Sequence, residues 1–177
     1  MPFFINRSKI GLLFAVRFLT VKRYAVDRQA KIDFILEHYE DPRHYGPTDP
    51  ADVVMQGGNP GCGDIITVYL KTDEHDHVSA LSFEGAGCTI SQAATSMVME
   101  MFENKTLADI EETPQDVILD LLGREIAATR LRCATLGLTT VKNAVTELRR
   151  QRLAQEYGIV LPDARGHGFV PVDEVAG

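Results

Sequence analysis

The spacing of apolar residues changes several times along this chain, and each change marks an element. From Asp27 to Tyr39, Ile32, Ile35, Leu36 and Tyr39 recur three and four apart, which predicts an amphipathic helix that Glu40-Asp41-Pro42 ends. Pro42, Gly46, Pro47 and Pro50 then make an irregular crossing, followed by a short strand at Val53-Val54-Met55. Ile65–Lys71 and Val78–Phe83 are rich in β-branched and aromatic residues and flank the polar run Asp73–His77, so they predict a hairpin. That run mixes His and Asp, but a loop of this kind reads as solvated rather than as a metal site.

Helical spacing returns at Thr89–Phe102, with Ile90, Ala93, Ala94, Met97, Val98 and Met101 on one face; the methionines read as core. Thr106 and Thr113 each stand three residues ahead of an acid, Asp109 and Asp116, and read as caps of two short helices, with Pro114 at a first helical position. A last helix is predicted from Cys133 to about Tyr157, with Leu136, Val141, Ala144, Val145 and Leu148 inward and Arg149, Arg150 and Arg152 complementing its dipole. The pattern describes an α+β domain: a small, mostly antiparallel three-stranded sheet packed against about five helices.

At 177 residues, 45% hydrophobic, the chain suits one domain with tails. The domain is placed at residues 24–157. Residues 1–23 carry five basic residues and no acid, which leaves 13 of the 18 basic residues against all 25 acids in the remainder. The apolar run within them, Ile10–Val21, contains Arg17 and falls short of the roughly 20 residues of a membrane-spanning helix. They read as an extension outside the core, with a transit peptide or a secretory signal as alternatives; residues 158–177 read as a mobile tail. A net charge of −7 argues against nucleic acid as a partner, and no membrane partner is expected.

Only three cysteines are present, an odd number in a chain that needs no disulfide framework, so reduced thiols and a cytoplasmic setting are expected, an organelle matrix being the lesser alternative. All three lie where a loop meets a regular element. Cys62 precedes the first hairpin strand, Cys88 follows the second and starts a helix, and Cys133 starts the last helix. Antiparallel pairing of the hairpin brings Cys62 and Cys88 together; Cys133 must arrive by tertiary packing. Helix N-termini should favour thiolate at Cys88 and Cys133. Asp64, two residues past Cys62, adds an oxygen, and three sulfurs with one oxygen suit zinc or an iron–sulfur cluster. Glycines at 61, 63, 85 and 87 permit sharp turns and close approach. Without a C-x-x-C pair, three structural cysteines remain the plain alternative.

Five strings settle more than spacing does: His38-Tyr39-Glu40-Asp41-Pro42-Arg43, Asn59-Pro60-Gly61-Cys62-Gly63-Asp64, Gly87-Cys88-Thr89-Ile90-Ser91, Lys105-Thr106-Leu107 and Arg132-Cys133-Ala134-Thr135-Leu136. Through them the chain resembles the U-type iron–sulfur cluster scaffold family (IscU, SufU and the N-terminal domain of NifU) over about residues 27–152. The resemblance implies that Cys62, Asp64, Cys88 and Cys133 bind zinc or hold a nascent [2Fe–2S] cluster. It implies sulfur delivery by a cysteine desulfurase, with Cys62 or Cys133 as acceptor, and release of the cluster to recipient apoproteins or carriers, with Asp64 tuning lability.

Two departures from the IscU pattern stand out. Arg132 occupies the place of a histidine, and Ala127-Ala128-Thr129-Arg130-Leu131 lacks the prolines of the Hsp70 recognition segment. The Cys88 and Cys133 strings look closer to the SufU branch, without the insertion many SufU proteins carry. Arg132 is either a cation that favours thiolate or a surface residue beside a ligand. Two rival functions accompany the scaffold reading: a zinc-dependent sulfurtransferase that relays persulfide sulfur without building a cluster, and a structural zinc domain, disfavoured because such sites use C-x-x-C knuckles.

Overall fold

A computed structural model describes residues 28–158. The readings made for residues 1–23 and for the tail beyond Gly158 lie outside the described residues. Helix α1 (Arg28–Glu40) leads into strands β1 (Val53–Asn59), β2 (Asp64–Thr72) and β3 (Val78–Ala86). Helices α2 (Thr89–Phe102), α3 (Leu107–Glu112), α4 (Asp116–Leu122) and α5 (Arg124–Ala127) follow, then a 3-10 turn at Ala128–Arg130 and the long α6 (Leu131–Tyr157). The sheet is fully antiparallel in the order β1-β2-β3, so the α+β architecture expected from the pattern is the one observed.

β1 runs four residues beyond the predicted Val53–Met55, through Gln56, Gly57, Gly58 and Asn59. Glycine has low strand propensity, which hid this extension. Its cause is close packing against α6, since a Cβ on Gly57 would lie 2.0 Å from Thr140 Oγ1. β1 and β2 therefore form a tight hairpin, and Cys62 sits in its turn, with Asn59 opposite Asp64 in register.

The core lies between one face of the sheet and the helices. Ile66, Val68, Leu70 and Phe83 from the strands meet Ala93, Met97, Val98 and Met99 of α2 and Leu138, Val141 and Val145 of α6. α2 is buried nearly all round, consistent with its apolar composition, and Met97 and Met99 are core residues. Among the described residues no helix is long and apolar enough to cross a membrane.

On α1 the inward face differs from the predicted one. Ile35 and His38 are buried, whereas Leu36 and Tyr39 are exposed. At this apolar position one ring nitrogen is served, Nδ1 lying 2.8 Å from Ser96 Oγ, while Nε2 has no hydrogen-bond partner among the described residues and faces Glu100 Oε2 at 3.5 Å; Phe34 meets the ring edge-on. Ser96 Oγ also accepts from the Arg43 N–H at 2.7 Å, so the segment after α1 is tied to α2. Burial and then the Arg43 charge hold His38 below its ordinary pKa, against the smaller pull of Glu100 and Glu37.

Thr106 caps α3 in a full capping box with Asp109, as its spacing predicts. Thr113 does not cap α4; it ends α3, and its hydroxyl donates back to the Asp109 carbonyl at 2.6 Å, leaving Gln115 at the α4 start. Asp73 Oδ1 accepts the His75 and His77 N–H groups, which ties that carboxylate to its own turn. Gly158, in a left-handed conformation, ends α6. Arg149, Arg150 and Arg152 form ion pairs with Glu111, Glu147 and Asp76 rather than lining the last turn, a correction to the dipole reading.

Candidate metal and sulfur centre

The β1–β2 turn, the start of α2 and the start of α6 meet at one end of the sheet. Asn59 accepts the N–H groups of Cys62 and Gly63 on its carbonyl, at 3.0 and 2.9 Å, and closes the turn. Gly63 completes it with a positive φ of 72°, a region side chains disfavour. Asp64 opens β2 and is 2% exposed. Across the sheet Ile65 pairs with Ala86, which delivers Cys88 to the Asp64 carboxylate: its N–H donates to Oδ1 at 3.0 Å, and its thiol to Oδ2 at 3.6 Å. The carboxylate thus receives the N–H at the start of α2, where unpaired donors gather.

Cys133 arrives through α6. Its Sγ lies 3.4 Å from Cys62 Sγ. Cys62 Sγ, an Asp64 carboxylate oxygen and Cys133 Sγ lie within 4.8 Å of one another. Cys88 adjoins this trio through Asp64 and is not within that mutual distance. The structure therefore brings all four sequence candidates to one place, with Cys88 as the outermost contact.

The three thiols differ in access. Cys62 is exposed, Cys88 half-buried and Cys133 buried. The expectation that the helix start favours thiolate at Cys133 is overturned. Burial, then the Asp64 carboxylate, then the neighbouring Cys62 and Cys88 thiols push Cys133 up to about 12. Asp64 moves the other way. Burial would raise it, but hydrogen bonds from Cys133, the Cys88 N–H, Ser91 and the Cys88 thiol together hold it below the usual carboxylate range. A proton on Cys133 facing an ionised Asp64 is the arrangement these shifts describe.

The cation in contact with a site thiol is not Arg132, which is exposed and, among the described residues, makes no hydrogen bond or ion pair. Arg130 supplies it instead, with Nη1 4.0 Å from Cys62 Sγ. The 3-10 turn at 128–130 turns Arg130 toward the turn that holds Cys62, a placement that no periodic pattern of the chain signals. Asn59 was also missed as a site residue: its Nδ2 donates to Cys133 Sγ at 3.3 Å, and its Oδ1 accepts from the Gly61 N–H at 3.2 Å.

The family model described as the NifU-like N terminal domain matches residues 30–155. The chain belongs to this family. Among proteins similar to the chain, the iron–sulfur cluster assembly scaffold protein IscU of Aquifex aeolicus is 30% identical over 131 residues, covering 73% of this chain and 82% of that one. IscU 1 of Archaeoglobus fulgidus is 29% identical over 119 residues, covering 67% and 76%. A crystal structure of a putative scaffold protein for the SUF system from Fervidobacterium islandicum superposes with a TM-score of 0.53 at 27% identity, covering 63% of this chain and 93% of that one. The match spans the described NifU-like domain from α1 through α6, including all four candidate ligands.

The donor set fits a thiophilic metal. Zinc–sulfur bonds of about 2.3 Å set two ligating sulfurs about 3.8 Å apart in a tetrahedron, close to the 3.4 Å observed for Cys62 and Cys133. Cys62, Cys88 and Cys133 would supply sulfur and Asp64 oxygen.

Proposed function

We propose that this protein is an iron–sulfur cluster assembly scaffold, on which Cys62, Asp64, Cys88 and Cys133 hold a nascent [2Fe–2S] cluster for delivery to recipient proteins. The observation that carries this reading is the convergence of Cys62, Asp64 and Cys133 within 4.8 Å, with Cys88 against Asp64. The curated relatives named as cluster assembly scaffolds support it. Cluster and iron are the cargo here, and the site is built to let them go: one donor is a carboxylate, and one sulfur is exposed.

Sulfur reaches the site as persulfide from a cysteine desulfurase. The Cys62 thiolate attacks the outer sulfur of the enzyme's persulfide, the S–S bond breaks, and the enzyme cysteine leaves as thiolate while the outer sulfur stays on Cys62. Cys62 is the acceptor because it is exposed and has the Arg130 guanidinium beside it, whereas Cys133 is buried and holds its proton.

The same exposed Cys62 and its guanidinium favour a second reading, zinc-dependent sulfur relay in the manner of the SufU branch. Zinc, when bound, would hold the ligating cysteines as thiolates at neutral pH. Cys62, the most accessible ligand, would be the one that exchanges out and takes up sulfur.

The two readings part in one experiment. The protein is purified without oxygen, its zinc and iron are measured, and a desulfurase, cysteine and ferrous iron are supplied while the visible spectrum is recorded. Cluster bands with matching iron and sulfide support the scaffold; increased desulfurase turnover with no bands supports the relay; neither change overturns both.

A further inference from the structure

We propose that Asn59 is a positioning residue of this centre, whose side-chain amide donates a hydrogen bond to the Cys133 sulfur and thereby sets that ligand relative to Cys62. This rests on the reading of Cys62, Asp64, Cys88 and Cys133 as a metal or cluster site.

The geometry assigns the amide unambiguously. The Gly61 N–H can only donate, so the Asn59 atom 3.2 Å from it is the carbonyl oxygen. The NH₂ group is thereby turned to the other side, where the Cys133 sulfur lies 3.3 Å away. Asn59 is 4% exposed, and its contact with the Cys133 sulfur is buried, whereas the one with Gly61 is only part-buried. The main chain of the same residue accepts from Cys62 and Gly63. One residue therefore fixes the turn that carries Cys62 and touches the sulfur of Cys133, 74 positions away.

A buried N–H aimed at sulfur suits a ligand that carries negative charge. It stabilises the charged, ligating form of that sulfur, holds it in place for the metal and favours the reduced state of a cluster. It also counteracts the burial that disfavours charge on Cys133. Arg130 offers an N–H to the other sulfur of the pair, but from the solvent side and at 4.0 Å. The two sulfurs are thus addressed differently, Cys133 by a fixed neutral amide and Cys62 by a long charged side chain.

The test uses the full-length protein loaded with cadmium-113. Two-dimensional NMR should show scalar coupling between the metal and one Asn59 side-chain amide proton, transmitted through the N–H···S bond. Cadmium bound through these cysteines without that coupling overturns the proposal and leaves the site standing. Failure to bind cadmium through them overturns the site and the proposal together. In parallel, Asn59→Asp keeps the acceptor for Gly61 but removes the donor. Its zinc affinity by chelator competition should fall about 10- to 100-fold, with the metal-free circular dichroism spectrum close to wild type even where the buried carboxylate lowers the melting temperature. Unchanged affinity would contradict the role; should the variant not fold, the coupling in the wild-type protein decides.

Discussion

The Cys62 and Cys133 sulfurs lie 3.4 Å apart across 71 positions of sequence, yet one is exposed and the other buried. That asymmetry predicts their reactivity. In metal-free protein at pH 7.5, a haloacetamide should label Cys62 more than about tenfold faster than Cys133, because Cys62 is exposed whereas Cys133 is buried and holds its proton. Mass spectrometry of timed digests checks this. Equal labelling would show that the site opens readily, and prior zinc loading should slow labelling of Cys62.

The Cys133 shift makes the metal-free fold sensitive to alkali. An unfolded cysteine ionises near 8.5, whereas in the fold Cys133 is pushed up to about 12. A group raised on folding contributes stability that is present below its unfolded pKa and is lost as pH climbs toward the folded one. Urea midpoints of wild type should therefore fall between about pH 9 and pH 12 more steeply than those of Cys133→Ser; parallel curves would contradict the shift. Asp64, held low, acts oppositely, and its contribution disappears only in acid, as pH falls through its depressed pKa. Because metal must displace the Cys133 proton, zinc affinity should rise with pH across the neutral range.

Arg130 and Arg132 give opposite expectations. Arg130→Ala removes the guanidinium beside Cys62 and should slow persulfide uptake about two- to tenfold, the scale of a partly solvated charge interaction of about 1 kcal/mol. Arg132→Ala should leave it unchanged. Single-turnover sulfur transfer from a desulfurase, read by mass spectrometry, distinguishes them, and the reverse result would restore Arg132 as the cation at the site.

Gly57→Ala places a methyl group on Thr140, where a Cβ would stand 2.0 Å from Oγ1. Overpacking of this kind costs about 1–3 kcal/mol. Thermal melts should show a lower midpoint, and Gly57→Ala combined with Thr140→Ser should not recover it, since the hydroxyl remains; Thr140→Ala should recover part.

Much of this organisation was legible in the chain. The β2–β3 hairpin, α2, the Thr106 cap and α6 follow from apolar period and local chemistry, and the five motif strings locate the four donors. What was not legible depended on contacts between distant segments. Gly57 and Gly58 look like loop residues until α6 packs against them. His38 interrupts an apolar face and is buried only because Ser96 on α2 receives it. The inward face of α1 was accordingly misjudged at Leu36 and Tyr39. At the site, a helix start implied a thiolate at Cys133, but desolvation and the neighbouring carboxylate outweigh the helix end. Asn59 and Arg130 act through tertiary placement, the first from a strand end and the second from a 3-10 turn, and neither has a spacing that announces its role.

If Cys62, Asp64, Cys88 and Cys133 form one centre, X-ray absorption at the zinc edge of the zinc-loaded protein will show it. The expected shell is three sulfurs at about 2.3 Å and one oxygen at about 2.0–2.2 Å, with one sulfur lost in each of Cys62→Ser, Cys88→Ser and Cys133→Ser. A wild-type shell with two or fewer sulfurs, or one left unchanged by Cys88→Ser, would contradict it.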